Sequence, residues 1–173
     1  ASGASASAIV DTEIVVDELG LPLIPGKRLK GLLRESLMEI GEMVGADLTR
    51  QLNSLLGEVG QAMSSSIMVS DAVLAEDPSL AAWLKWANVE YPGYFRAKSV
   101  ADTFTSIRRQ TKLEKGVAVN HSLRSMRVLK KGLKFKGSIS SDRAITESDQ
   151  ALLALVIGNV RFLGLNRNRG FGK

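Results

Sequence analysis

The chain has 173 residues, 45% apolar and 24% charged, which suits one folded domain with room for insertions and excludes a disordered tail. It contains no cysteine and a single histidine, His121, which excludes a disulfide framework, a zinc knuckle, an iron–sulfur centre, a cysteine nucleophile and a two-histidine metal motif. Lys and Arg number 23 against 18 Asp and Glu, for a net +5, but twelve of those bases face only Asp102 and Glu114 between Arg96 and Lys136, so that segment carries +10 and the remainder −5.

A field of that kind is the electrostatic footprint of a polyanion site. The competing reading is a solvated face that only aids solubility. The two basic clusters also carry glycine, which lets a backbone approach a phosphate, and this favours the polyanion. The longest apolar run, Ala151–Gly158, is too short to cross a bilayer, and no signal peptide is visible. A cytoplasmic chain with no membrane partner is expected.

Residues 1–8 carry only small side chains and cannot form core. Ile9–Val16 predicts a short strand or extended arm carrying Asp11; Asp17 precedes a turn at Glu18–Gly20 and reads as a turn residue. Pro25-Gly26 is a strong stop. A helix follows over Lys27–Val44, with Leu29, Leu33, Leu37, Ile40 and Val44 on one stripe and Lys27, Lys30 and Arg34 on a strip beside it. Asp47 is placed to cap a second helix, Leu48–Leu56, ended by Gly57. Ser65–Leu74 predicts one strand with Asp71 inside it, and Asp77-Pro78 opens a helical insertion through Trp86. Ser99–Gly116 and Ala118–Ile139 predict the arms of a long basic hairpin with its tip at Lys115-Gly116. Ser148 or Thr146 caps a final helix, Asp149–Phe162, stopped by Gly164 and followed by a glycine-rich loop.

This order predicts an α+β fold with a ferredoxin-like, RNA-recognition-motif-like sheet, helices on one face and a basic hairpin inserted. Such a sheet needs a strand before the first helix and one after the last. The first candidate is short and nothing follows Lys173, so the terminal strands are expected outside this sequence. The expectation is a single domain over 1–173, with an insertion at about 75–98 and a hairpin at about 99–139.

Several segments resemble motifs of the RAMP superfamily of CRISPR-associated proteins. Leu23-Ile24-Pro25-Gly26-Lys27-Arg28-Leu29-Lys30-Gly31-Leu32-Leu33-Arg34 resembles its IPGSSLKGxLR motif, with Lys27-Arg28 in place of the two serines. Gly164-Leu165-Asn166-Arg167-Asn168-Arg169-Gly170-Phe171-Gly172-Lys173 resembles its GGxxSRGxGK loop, with Leu165 at the second glycine. Ile67–Leu74 resembles its hxhxDAxh strand, and Arg108, Arg109, Gly116, Val117, Ala118 and Leu123 fall where its thumb hairpin lies. Ala8–Asp17 resembles the arm of the Csm-type backbone subunit of type III effectors.

The resemblance implies a CRISPR effector subunit whose partners are guide RNA, target RNA and other subunits of a complex. Guide RNA binding is then expected at Gly26, Lys27, Lys30 and Arg34, at Gly164, Arg167, Arg169 and Gly170, and along the thumb at Arg108, Arg109, Arg124 and Arg127, with Val117 near the wedge. Free amides at a helix start, guanidinium forks and an apolar tip are the chemistry those roles need. Asp11 takes the position of the aspartate that cuts target RNA, with Mg2+ or another divalent cation as its cofactor. Read from the residues alone, Asp11 is a capping or solvated aspartate. Two further readings stay open: a non-catalytic guide-binding subunit, and a guide-processing ribonuclease using His121.

Overall fold

The computed structural model describes residues 10–57, 65–75, 78–164 and 172. It is mixed α and β, and among the described residues the paired strands of its sheets run antiparallel. The chain forms two compact units: one of residues up to Ile24 with Ala72–Lys136, the other of Pro25–Asp71 with residues from Gly137 onward. Among the described residues, no helix is long and apolar enough to cross a membrane.

The second unit is built on α1 (Gly26–Val44), which begins one residue before the expected start. Gly45 adopts a left-handed conformation, and the Gly45 and Ala46 amides return to Glu42 and Gly41, the paired bonds of a Schellman closure. The expected stripe faces the core in its middle. Leu33 and Leu37 are buried against Leu55 and Leu56 of α2 (Thr49–Leu56), Ile67 of β2 (Ile67–Val69), and Leu153 and Val156 of α5 (Glu147–Asn159). Val44, at the far end of the stripe, is exposed. Asp47 accepts the Thr49 amide at 2.9 Å, and hydrogen bonding by the Thr49 side chain, then by its amide, holds the Asp47 carboxyl below the usual range. Thr146, one of the two caps expected for α5, accepts the Asp149 amide at 3.1 Å. Buried Ser36 donates to the Val156 carbonyl at 2.8 Å and accepts from Asn159 at 3.2 Å, tying α1 to α5 by polar bonds.

The Ser65–Leu74 segment is two strands. β2 pairs with β9 (Ile139–Ser141) in the second unit, while β3 (Ala72–Leu74) lies between β1 (Leu23–Ile24) and β8 (Phe135–Lys136) in the first. Asp71 sits between them. Its carboxylate leaves the ladder and accepts the Gly26 amide at 2.7 Å, at the start of α1. The expected continuous ferredoxin-like sheet is thus divided: the described strands form one three-stranded sheet and three two-stranded ones.

In the first unit the insertion helix α3 (Pro78–Glu90) runs four residues beyond the expected end. Leu84 and Ala87 are buried, whereas Trp83 and Trp86 are about half exposed, packed edge-to-face on Phe95 and Tyr91. A further helix, α4 (Ala97–Phe104), occupies what read as the start of the first hairpin arm. Val100 and Ala101 bury one side of it, and Thr105 donates its hydroxyl to the Ala101 carbonyl at 2.7 Å, ending the helix where the strand starts. Asp17 caps its own turn, accepting from the Leu19 and Leu21 amides at 2.9 and 2.8 Å.

Gly26 has no space for a side chain: a Cβ there would stand 2.2 Å from the Val69 carbonyl oxygen. Gly26→Ala is expected to cost at least about 2 kcal/mol through this overpacking. Asp71→Ala, which removes one helix-start acceptor, is expected to cost about 1 kcal/mol. Thermal unfolding of the two variants checks the order; equal stability would show that the close approach is not limiting.

Candidate nucleic-acid interface

The hairpin is formed by β4 (Thr105–Gln110) and β7 (Arg124–Leu129), paired from Thr105↔Leu129 to Gln110↔Arg124, and is extended by β5 (Leu113–Glu114) and β6 (Val117–Ala118). Lys115 and Gly116 both have positive φ, 50° and 81°, as a two-residue type I′ turn requires. The tip thus stands where the sequence placed it, but the arms begin at Thr105 and end at Leu129. Strand alternation puts Arg108 and Arg124 on one face, beside Met126, and Arg109 on the other, beside Ser125. Arg108, Arg109, Arg124 and Val117 are all exposed. Leu113, Val117 and Leu123 give the end of the hairpin an exposed apolar surface. Guanidinium groups on the shaft suit phosphates, and an apolar tip suits insertion between bases.

Arg127 does not join this outer set. Its side chain is 8% exposed, and the guanidinium donates to Glu13 at 2.8 Å, to Asp102, and to the Thr105 hydroxyl at 2.9 Å. Burial pulls its pKa down, and the bonds and charges of Asp102 and Glu13 outweigh that, raising it above the ordinary value. The guanidinium expected to meet RNA thus sits in an internal ionic cluster. Glu13 and Asp102 were missed because nothing in their spacing announces a shared partner.

The arm lies along β7. Thr12 and Met126 form a parallel bridge; the Asp11 amide donates to the Ser125 carbonyl at 2.9 Å and the Arg127 amide to the Thr12 carbonyl at 2.9 Å. The Asp11 carboxylate accepts the Ser125 amide at 2.6 Å while its residue stays exposed. A carboxylate has further lone pairs, so this bond leaves it acceptor capacity. Among the described residues, no three His, Asp or Glu side chains converge to hold a metal ion. Asp11 would therefore offer a cation a single carboxylate, and the other ligands would have to come from outside the described residues.

At the start of α1, Gly26 is buried and its amide is held by Asp71. The reason expected for this glycine, an amide freed for a phosphate, is replaced by close packing and an internal carboxylate. Arg34 turns to the carbonyls that end α2, donating to Leu56 at 3.3 Å and to Gly57, and Lys30 donates to Ser65 at 2.5 Å. Burial, then the charge of Arg34, lowers the Lys30 pKa. Of the expected strip, Lys27 faces solvent, as does neighbouring Arg28. Gly164 is exposed with φ 99°. The Leu163 amide donates to the Gly172 carbonyl at 3.0 Å. Arg167, Arg169 and Gly170 lie outside the described residues. His121 is exposed near the hairpin end in a left-handed conformation, φ 58°.

Asp11→Asn keeps an acceptor for the Ser125 amide and is expected to unfold within about 1 kcal/mol of the parent, whereas Asp11→Ala loses it and is expected to cost about 1 kcal/mol more. Thermal unfolding monitored by circular dichroism measures both.

No curated protein matches the chain. The structure is similar to a chain of the type III-B Cmr-beta complex bound to cognate target RNA, with a TM-score of 0.66 at 14% identity, covering 99% of this chain and 89% of that one. It is equally similar, at TM-score 0.66 and 15% identity over the same shares, to a chain of type III-B Cmr-beta in its apo state. The RAMP superfamily profile matches residues 2–173. With a match across nearly its whole length, the chain belongs to the RAMP superfamily.

Proposed function

We propose that this chain is a subunit of a type III CRISPR effector complex, that it binds guide RNA, and that it cleaves the paired target RNA at Asp11. The observation that carries the reading is an exposed carboxylate held in register along the edge strand of a basic, apolar-tipped hairpin. Family membership and likeness to chains of Cmr-beta complexes support it. Other subunits of the complex are its protein partners, and the β4–β7 hairpin is its thumb.

Arg109, Arg124 and Lys27 contact phosphates, with Arg167, Arg169 and Gly170 of the terminal loop adding to the guide surface. The protein reads backbone and shape, and base pairing reads sequence. Val117 at the tip separates neighbouring bases. A divalent cation at Asp11, when bound, lowers the pKa of an attacking hydroxyl. The protein's own part is to hold the Asp11 carboxylate at a fixed place on β7 and, through the hairpin cations, to lay the RNA beside it.

A second reading is a purely structural guide-binding subunit. It is favoured by the Ser125 amide, which already occupies the Asp11 carboxylate. Asp11→Asn separates the two. With guide and target RNA present, loss of Mg2+-dependent cleavage at unchanged RNA affinity supports catalysis; unchanged cleavage, or none in the parent, supports the structural role. Arg109→Ala combined with Arg124→Ala is expected to weaken guide RNA binding and to lower the slope of log affinity against log salt by about 2. Filter binding across a salt series measures that slope, and an unaltered slope would remove the hairpin from the interface.

A further inference from the structure

Arg127 has partners on three separate segments of its unit. Glu13 comes from the arm, Asp102 from α4 and Thr105 from β4. Its backbone amide also donates to the arm, at the Thr12 carbonyl. One planar fork therefore spans two carboxylates at once, which a lysine ammonium on a flexible stem reproduces poorly. Among the described residues the arm is otherwise fastened to β7 by the Thr12–Met126 bridge and the bonds between Asp11 or Thr12 and Ser125. An edge attachment of that size opens easily unless side chains add to it. Glu13 lies two residues from Asp11, so fixing Glu13 fixes the register of the Asp11 carboxylate.

We propose that Arg127 is a positioning residue: by gripping Glu13 while anchored to Asp102 and Thr105, it holds the arm in parallel register on β7 and sets where Asp11 lies beside bound RNA. The effect on cleavage rests on the functional reading above; the grip on the arm does not.

Hydrogen exchange and single-turnover cleavage on the full chain with guide RNA test the idea together. Arg127→Gln is expected to speed exchange in residues 10–16 by about tenfold while the β4–β7 ladder stays protected. Glu13→Gln, at an exposed position, should reproduce the arm effect, and Arg127→Lys should fall between parent and Arg127→Gln. At saturating target the cleavage rate should fall by about tenfold with RNA affinity unchanged, because only the position of Asp11 is disturbed. Unaltered exchange of residues 10–16 in Glu13→Gln and in folded Arg127→Gln overturns the grip. Faster arm exchange with an undiminished cleavage rate overturns the positioning role. A parent that never cuts RNA defeats the functional reading and with it the effect on cleavage, and the exchange result still decides the grip.

Discussion

The helical unit depends on the seating of Gly26 against the end of β2. Only a residue without a side chain can bring the start of α1 onto the Val69 carbonyl, and once there its amide meets the Asp71 carboxylate. An anion at a helix start satisfies an otherwise orphaned donor and complements the helix dipole. With that end anchored, Leu33 and Leu37 bear on Ile67, Leu153 and Val156, and Ser36 lies within reach of the Val156 carbonyl. Backbone packing thus sets the helix position, and the apolar stripe then fills the space.

Packing also changes what the positive charges do. Arg34 and Lys30 share a helical strip with Lys27, yet both turn to internal oxygens, Arg34 to the carbonyls at the end of α2 and Lys30 to the Ser65 hydroxyl just before β2. In the hairpin unit Arg127 lies opposite Ile107 in the β4–β7 register and is enclosed between Glu13 and Asp102. Its charge is balanced there, so it adds little to the outward field that Arg109 and Arg124 supply. The free edge of β7 takes up the arm by main-chain bonds, and those bonds bring Asp11 to the Ser125 amide. An edge strand left uncovered invites pairing with other chains, and the arm covers part of this one.

Local patterns were legible in the sequence. The 3.6-residue apolar spacing marked α1, Ser148 or Thr146 marked the start of α5, where Thr146 is the cap, and Lys115-Gly116 marked the hairpin tip, because each depends on residues close in the chain. The helix α4 was not legible: its short apolar pattern, Val100-Ala101, is as compatible with an extended arm until burial is known. The splitting of Ser65–Leu74 was hidden too, since its strand-forming residues lie on both sides of Asp71 and only the pairing of β2 with β9 and of β3 with β1 and β8 divides them.

By itself the sequence determined the charge of the basic segment, the absence of thiol chemistry, the family motifs and the elements whose signals are local. Only the tertiary structure decided which charges face outward: Arg127 is bound to Glu13 and Asp102, which stand 114 and 25 residues away in the chain, and Gly26 to Asp71, 45 residues away. Contacts over such separations depend on how strands and helices meet, and no local spacing encodes that meeting.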